Sequence, residues 1–407
     1  MDIEKLISDC ESQLSEIFRS FDSLSLRNTR KVLKAFIKNR VSAAHFAPTD
    51  GYGYGDVGRE LCDRLFAQIF EAEDGFARHS LVSGTHALTV GLFGLLRPGD
   101  TMLCATGVPY DTIHGVIGLT PHSGSLADFG IKYRQTEKFA DVEEIKRTLN
   151  EDKTIKVVYL QRSRGYNSAR PTLSVFEIGE ICKAVKSVSD AFVMVDNCYG
   201  EFCEEHEPPF VGADLTVGSL IKNPGGGIAE TGGYLVGTKR AVSLAAERLT
   251  APSIGLECGA SLGHTKPMIK GLFYAPHVVA QSLKSAALAA KIFEASGFTV
   301  SPTPFEKRFD IIQSINLDTP ERVCAFCAGI QSMSPIDSSA VPEPWDMPGY
   351  DDPVIMAAGA FTQGASIELS ADAPMRPPYA VFMQGGLTYE SARIAIQAAA
   401  ERVFKIN

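Results

Sequence analysis

Lys222 sits within Gly218–Tyr234, GSLIKNPGGGIAETGGY, where six of seventeen residues are glycine. Glycine and proline at this density bring backbone close to something; they do not fill a helix or strand interior. A lysine there is either a solvated side chain or a desolvated amine, with lowered pKa, able to act as nucleophile and base. Twenty-six residues earlier, FVMVDNCYGEF sets Asp196 at the end of an apolar run. A carboxylate emerging from a buried strand is costly unless paired, so Asp196 is either half of a charge pair or the cap of a turn. In LVSGTHALTVGLFGLL, Ser83, Gly84 and Thr85 open a helix. Free amides, the helix dipole and two hydroxyls suit a phosphate there, and a simple helix cap is the alternative.

These groups need elements to position them. Between about 50 and 250, β-rich runs alternate with helical stretches: HSLV (79–82), TMLC (101–104), IKYRQ (131–135), IKVVYL (155–160), FVMV (192–195), LTVGS (215–219) and GYLVG (233–237). This alternation predicts an α/β fold, a seven-stranded, mainly parallel sheet between helices. Ligands bind at the carboxyl ends of strands in such sheets, which puts Ser83, Asp196 and Lys222 on one edge. After 250 come a helix over 276–295, strand-like DIIQSINL, PVIMAAGAF and YAVFMQGG, and a last helix. We expect an N-terminal helical segment (1–45), a large domain (46–250) and a smaller α+β domain (251–407). Ile3, Leu6, Ile7, Cys10, Leu14, Ile17 and Phe18 recur at helical spacing, an amphipathic helix that packs on another element.

Composition narrows the class. At 407 residues, 45% hydrophobic and 21% charged, the chain is ordinary for a soluble protein with a large core. A net charge of −9 without a basic block disfavours nucleic-acid and anionic-membrane partners. The charged N-terminus is no signal or transit peptide, and nine scattered cysteines fit a reduced compartment, so a cytoplasmic location is expected. Several motifs lack their required context. Gly53–Gly58 matches GxGxxG, but the residues before it contain Pro48 and make a poor strand. Gly259-Ala-Ser261-Leu-Gly263 matches GxSxG without strand–turn–helix surroundings, and Ser219-x-x-Lys222 lacks its SDN and KTG companions. Cys324 and Cys327 form a lone CxxC, read as small apolar residues on a helix rather than a metal site.

One cofactor needs a lysine, an acid and a phosphate anchor together. Pyridoxal 5'-phosphate takes a Schiff base from lysine, a carboxylate at its pyridine nitrogen and a cradle for its phosphate. The segments GYGYGDVGRE, VSGTHA, PYDTIHGVIG, QRSRGY, VDNCYGEF, SLIKNPGGGIAETGGY and ADAPMRPPY…QGGLTYE carry a resemblance to pyridoxal-phosphate enzymes of the aspartate-aminotransferase fold (fold type I). Within them the chain resembles the methionine γ-lyase-like, aluminium-resistance branch, related to cystathionine lyases.

The resemblance implies that Lys222 carries the aldimine and Asp196 pairs with the pyridine nitrogen. Ser83, Gly84, Thr85 and Ser219 would hold the phosphate. Tyr110 would stack on the ring, with plain core packing as the alternative, and Tyr199 would donate to the phenolic oxygen. Tyr52 and Tyr54 would enter a neighbouring subunit's site, which implies a homodimer or homotetramer. Arg376 would clamp the substrate carboxylate as a bidentate guanidinium, with Arg164 and Arg162 as rivals. The implied activity is that of a carbon–sulfur lyase acting on a cystathionine-, methionine- or cysteine-type amino acid. It would proceed by α-proton abstraction and β- or γ-elimination. Asn223-Pro224 and three glycines follow the lysine where cystathionine lyases carry a Tyr-containing turn, which leaves open whether Cβ–S or Cγ–S breaks. Transamination or aldol cleavage is the alternative chemistry. A non-enzymatic metal-stress protein is a remote one, as eight histidines and nine cysteines show no ligand spacing.

Overall fold

The computed structural model describes residues 2–347, 350 and 352–406. Helices α1 (Ile3–Gln13) and α2 (Ser15–Lys38) come first, followed by α3 (Val57–Ile69) and β1 (Asp74–Arg78). Then α4 (Gly84–Leu95), β2 (Thr101–Cys104), α5 (Asp111–Ile117), β3 (Lys132–Gln135), α6 (Val142–Glu151), β4 (Ile155–Gln161), α7 (Val175–Val188) and β5 (Phe192–Asp196) alternate along the chain. Strands β6 (Leu215–Ser219) and β7 (Gly233–Gly237) lead to α8 (Lys239–Leu249) and the long α9 (Thr265–Ala295). The rest comprises β8 (Val300–Ser301), β9 (Gln313–Asn316), α10 (Pro320–Ser332), β10 (Val354–Ala357), β11 (Ser370–Pro374), β12 (Ala380–Gln384) and α11 (Tyr389–Val403).

The first seven strands form one sheet in the order β1-β7-β6-β5-β4-β2-β3. From β3 to β6 neighbours run parallel, and β7 is antiparallel to both β6 and β1. A sheet covered on both faces needs apolar residues on both, which is why Val193, Met194 and Val195 follow without a polar break and are all fully buried. One face packs with α4 and α8 through Leu88, Leu92, Val242 and Ala245, and the other with α6 and α7 through Ile145, Leu149, Ile178 and Val185. The expected mainly parallel α/β sheet is the observed one. The second sheet, β10-β11-β12-β9-β8, is antiparallel throughout and packs with α10, α11 and the end of α9. The N-terminal apolar stripe joins this second core: Ile7, Cys10 and Leu14 are buried in it, and Ile3, Leu6, Ile17 and Phe18 pack against it. Cys324 and Cys327 lie on α10, and Cys327 is fully buried.

Two expectations need correction, and one strand lies where the sequence raises no expectation. HSLV (79–82) is not a strand; β1 lies just upstream at Asp74–Arg78, where Gly75 and Phe76 pair with Val236 and Leu235. Leu81 is buried, but it sits in the turn that leads to the Ser83 cap of α4. The long helix begins at Thr265 rather than at 276 and runs through Pro276. Proline costs an interior helix bond, but burial of the Met268, Leu272, Ala275 and Val279 face in the core carries the helix through. Finally, SADAP forms β11, although alanine, aspartate and proline are poor strand formers; pairing on both sides with β10 and β12 imposes the conformation.

The two glycine motifs of the loops meet each other. A Cβ on Gly53 would lie 2.7 Å from the Cα of Ala260, and the Gly259 amide donates to the Tyr52 carbonyl at 2.8 Å. Arg59, buried on α3, donates from Nη1 to the carbonyls of both Gly53 (2.8 Å) and Gly259 (2.7 Å). Their glycines therefore serve loop-to-loop packing.

Candidate active site

The site grows from the carboxyl edge of the parallel strands. Ser83 caps α4: its Oγ accepts from the His86 amide at 3.0 Å and leaves the first amides of the helix facing outward. Gly84 follows because the wall is tight. A Cβ there would come within 3.3 Å of Cys198 Sγ, 3.4 Å of Ser219 Cβ and 4.0 Å of Lys222 Nζ. Thr85 Oγ1 lies 3.0 Å from Thr112 Oγ1, and Ser219, at the end of β6, accepts from the Ile221 amide at 3.3 Å. Together with Asp196, Tyr199 and Lys222 these residues line one cavity of about 230 Å³.

Asp196 ends β5 and is buried. Its Oδ2 accepts from the Tyr159 hydroxyl at 3.2 Å and its Oδ1 from the Cys198 amide at 3.1 Å. Lys222 leaves the chain just past β6, and its Nζ lies 4.2 Å from the centre of the Tyr199 ring. Tyr199 itself is in the left-handed region at φ 73°, a strained conformation for a tyrosine, and its hydroxyl accepts from Ser366 Oγ at 3.2 Å. Burial alone would lower the pKa of Lys222, but the acidic groups Cys198, Tyr199, Asp196 and Glu201 around it prevail and hold it above its ordinary value. The direction is opposite to that expected of a desolvated amine, because the lysine is sunk among acids rather than in an apolar pocket. Behind it, Asn223 Nδ2 donates to the carbonyls of Tyr199 (3.0 Å) and Glu201 (2.9 Å), fixing the turn that follows the lysine.

The fit of a phosphate-bearing, carbonyl-reactive cofactor rests on this donor set: hydroxyls and helix amides at one end, an anchored carboxylate, and an amine between them. The amide of Tyr110, also in the lining, donates to Gln161 Oε1 at 2.7 Å, and its hydroxyl lies 2.6 Å from that of Tyr350.

The arginines lie elsewhere. Arg162 is wholly buried beneath the site, where Nη2 binds Glu204 at 2.7 Å and Nη1 reaches Asn197 Oδ1 (2.7 Å) and the Gly200 carbonyl (2.9 Å). Arg164 is buried too, donating to Ser301 Oγ at 2.8 Å. Arg376 pairs with Asp352 at 2.6 Å and lines a neighbouring cleft that shares Tyr166 and Phe382 with the inner end of the reaction cavity. Tyr52 and Tyr54 stack on each other, ring centres 5.5 Å apart, and stand exposed away from the cavity. Three cavity residues escaped sequence reasoning: Tyr166, Tyr350 and Asp372. Tyr166 and Asp372 lie in QRSRGY and ADAPMRPPY, where the arginines are the more conspicuous ligand candidates. Among the described residues no group of three His, Cys, Asp or Glu side chains could hold a metal ion, and no helix is long and apolar enough to cross a membrane.

The model of the family described as methionine gamma-lyase matches residues 3–404, nearly the whole chain. The chain belongs to the methionine γ-lyase family. Members of this family are pyridoxal-phosphate-dependent carbon–sulfur lyases, and the chain is an enzyme of that class. An uncharacterized Bacillus subtilis protein, YnbB, is 46% identical over 99% of this chain and 97% of its own. The crystal structure of a Clostridium acetobutylicum protein, described as a candidate cystathionine β-lyase involved in aluminium resistance, is 45% identical. It covers 98% of this chain and 95% of its own with a TM-score of 0.95. An Escherichia coli protein described as pyridoxal-5'-phosphate dependent shares the fold at 14% identity and TM-score 0.65, covering 94% of this chain and 96% of its own.

Proposed function

We propose that the protein holds pyridoxal 5'-phosphate at Lys222 and splits a carbon–sulfur bond of a thioether or thiol amino acid. The observation that carries this reading is the convergence of Lys222, Asp196 and the Ser83–Thr85/Ser219 cradle on one cavity. When bound, the cofactor supplies the electron sink that makes the substrate α-carbon acidic. The chain's own residues do the rest. Ser83, Thr85 and Ser219 with the α4 amides bind the phosphate, and Asp196, fixed by Tyr159 and the Cys198 amide, presents a carboxylate to the ring nitrogen. With the cofactor bound, the Lys222 amine would take the α-proton and so become the ammonium that its acidic neighbours stabilise, and would give that proton to the departing sulfur. The net change consumes water and yields a thiol, ammonia and an α-keto acid.

Tyr110 is our candidate for stacking on the cofactor ring, and Tyr199 for a hydroxyl contact to it. Tyr52 and Tyr54, exposed as side chains destined for another subunit would be, support a homo-oligomer with shared sites. The test is incubation of the cofactor-loaded protein with cystathionine, methionine and cysteine, following thiol, ammonia and keto acid. Thiol release that needs no added keto acid is expected. Cofactor binding without thiol from any of them overturns the reading, and amino transfer to an added keto acid would place the protein among aminotransferases instead.

A further inference from the structure

Asp372 lies in the middle of β11, paired in register with Met356 and Phe382, and its side chain enters the wall of the cavity that faces the large sheet. It is 7% exposed. Its Oδ2 accepts from Gln384 Nε2 at 2.8 Å, and the same nitrogen is shared with Ser370 Oγ at 2.7 Å. Its Oδ1 makes no hydrogen bond of good geometry, and neither does the buried hydroxyl of Tyr166, which stands close enough to lower the pKa of the acid. A buried carboxylate oxygen without a donor is costly. The charged residues of the cavity among those described are Asp196, Asp372 and Lys222, with no arginine. Lys222 makes no ion pair with Asp372 within 4.0 Å among the described residues, and Asp196 has its own donors. One carboxylate is therefore in surplus. Around it stand Tyr110, Tyr166, Tyr350 and Phe382, with ring centres 5.3 to 6.1 Å apart in successive pairs. An aromatic wall with a carboxylate at its base suits an ammonium group.

We infer that Asp372 receives a second, cationic amino group of the substrate, so that the site selects thioether amino acids whose leaving thiol carries an ammonium over those with a neutral alkyl thiol. The inference rests on the carbon–sulfur lyase reading and adds to it the residue that sets substrate class. Its pH dependence follows from the surroundings. Burial pushes Asp372 up to about 6, against the Gln384 and Tyr166 side chains and the Lys222 charge, which lower it. The other groups that face it stay in one form near that pH. Burial raises the phenols of Tyr110, Tyr166, Tyr199 and Tyr350 and the thiol of Cys327 on α10, while Lys222 stays cationic. Ammonium binding is thus present above about pH 6 and fades below it, as the carboxylate takes up a proton.

The experiment compares two ligands of matched length, S-(2-aminoethyl)-L-cysteine and S-propyl-L-cysteine. Their dissociation constants for the cofactor-loaded protein are measured by calorimetry between pH 5 and 8, with thiol release followed in parallel. The aminoethyl ligand should bind about tenfold or more tightly at pH 8, the scale of one charge-assisted hydrogen bond, and lose that advantage below pH 6. Asp372→Asn should remove the preference while leaving S-propyl-L-cysteine within about twofold, and Asp372→Glu should restore part of it. Equal affinities in the wild type, a preference that survives Asp372→Asn, or a loss for both ligands alike would overturn the inference; so would binding of neither. Should Asp372→Asn fail to fold, the wild-type pH profile decides. A preference dependent on Asp372 without thiol from any sulfur amino acid overturns the lyase reading alone. Thiol release without the preference overturns the assignment of Asp372 alone.

Discussion

The two walls of the cavity are built on different terms. On the large-sheet side Asp196 is answered by a phenol and an amide and Arg162 by Glu204, Asn197 and the Gly200 carbonyl, with one oxygen of Glu201 the exception. Against the small sheet, Asp372 of β11 and Tyr166, which leaves the large sheet after β4 and packs on Phe382, keep a carboxylate oxygen and a hydroxyl without a well-formed hydrogen bond. A satisfied polar layer is rigid and holds its members in one geometry, whereas an unsatisfied one stores a preference for whatever arrives to complete it. The first wall therefore provides what every turnover needs, and the second discriminates among substrates.

Removal of the amine from the first wall should have the largest effect. Lys222→Ala should lower thiol release by about 10⁴-fold or more, the upper range for one positioned base, with an unchanged far-ultraviolet circular dichroism spectrum. Retention of more than a hundredth of the activity would mean that another group takes the α-proton. Next comes the layer beneath. Arg162 is fully buried, as is Glu207, which its Nη1 approaches at 3.8 Å, so Arg162→Met leaves carboxylates without their cation. The loss in unfolding free energy should be about 3–5 kcal/mol, the cost of breaking a buried pair, read from denaturant midpoints. A loss below about 1 kcal/mol would show that the acids repack or protonate without it.

The same contrast explains what could be read in the sequence. LTVGS and GYLVG are strands at the expected residues, and Asp196 and Lys222 were legible because apolar runs end at or just before them. Position along a parallel strand dictates position in space there. Asp372 offered no such signal: SADAP has neither strand propensity nor alternation, and its role arises from pairing with strands on both sides. Arg162 and Arg164 looked like ligand clamps in QRSRGY, for sequence shows a guanidinium but not the Glu204 or Ser301 that occupies it. The expected start of α9 at 276 differs from the observed Thr265 for the same reason, since the core that carries the helix through Pro276 does not show in the local sequence.

Glu201 offers a subtler test of the first wall. It is fully buried beside Lys222, accepts from the Tyr234 hydroxyl at 3.0 Å, and leaves Oε2 without a partner. Burial raises its pKa from the ordinary 4.5 to about 8. The folded state thus prefers the protonated acid. Its favourable contribution is complete below about pH 4.5 and declines as pH rises to about 8, where the native carboxyl ionises. Glu201→Gln cannot ionise, so its stability relative to wild type should grow steadily from pH 5 to 8. Parallel curves across that range would show that the carboxyl is already charged and compensated at pH 5.

The smallest effect on stability belongs to the arginine that sequence made most prominent. Arg376 and Asp352 are 41% and 37% exposed, and such a pair contributes at most about 1 kcal/mol. Arg376→Ala should therefore leave the denaturation midpoint nearly unmoved. Its guanidinium borders a cleft that shares Tyr166 and Phe382 with the cavity, so any role in holding a substrate carboxylate must appear in KM. A rise in KM of about tenfold with kcat kept within about twofold would add Arg376 to the selecting wall. An unchanged KM would leave carboxylate recognition to the amides and hydroxyls of the large-sheet side, and the division of labour between the two walls would be sharper for it.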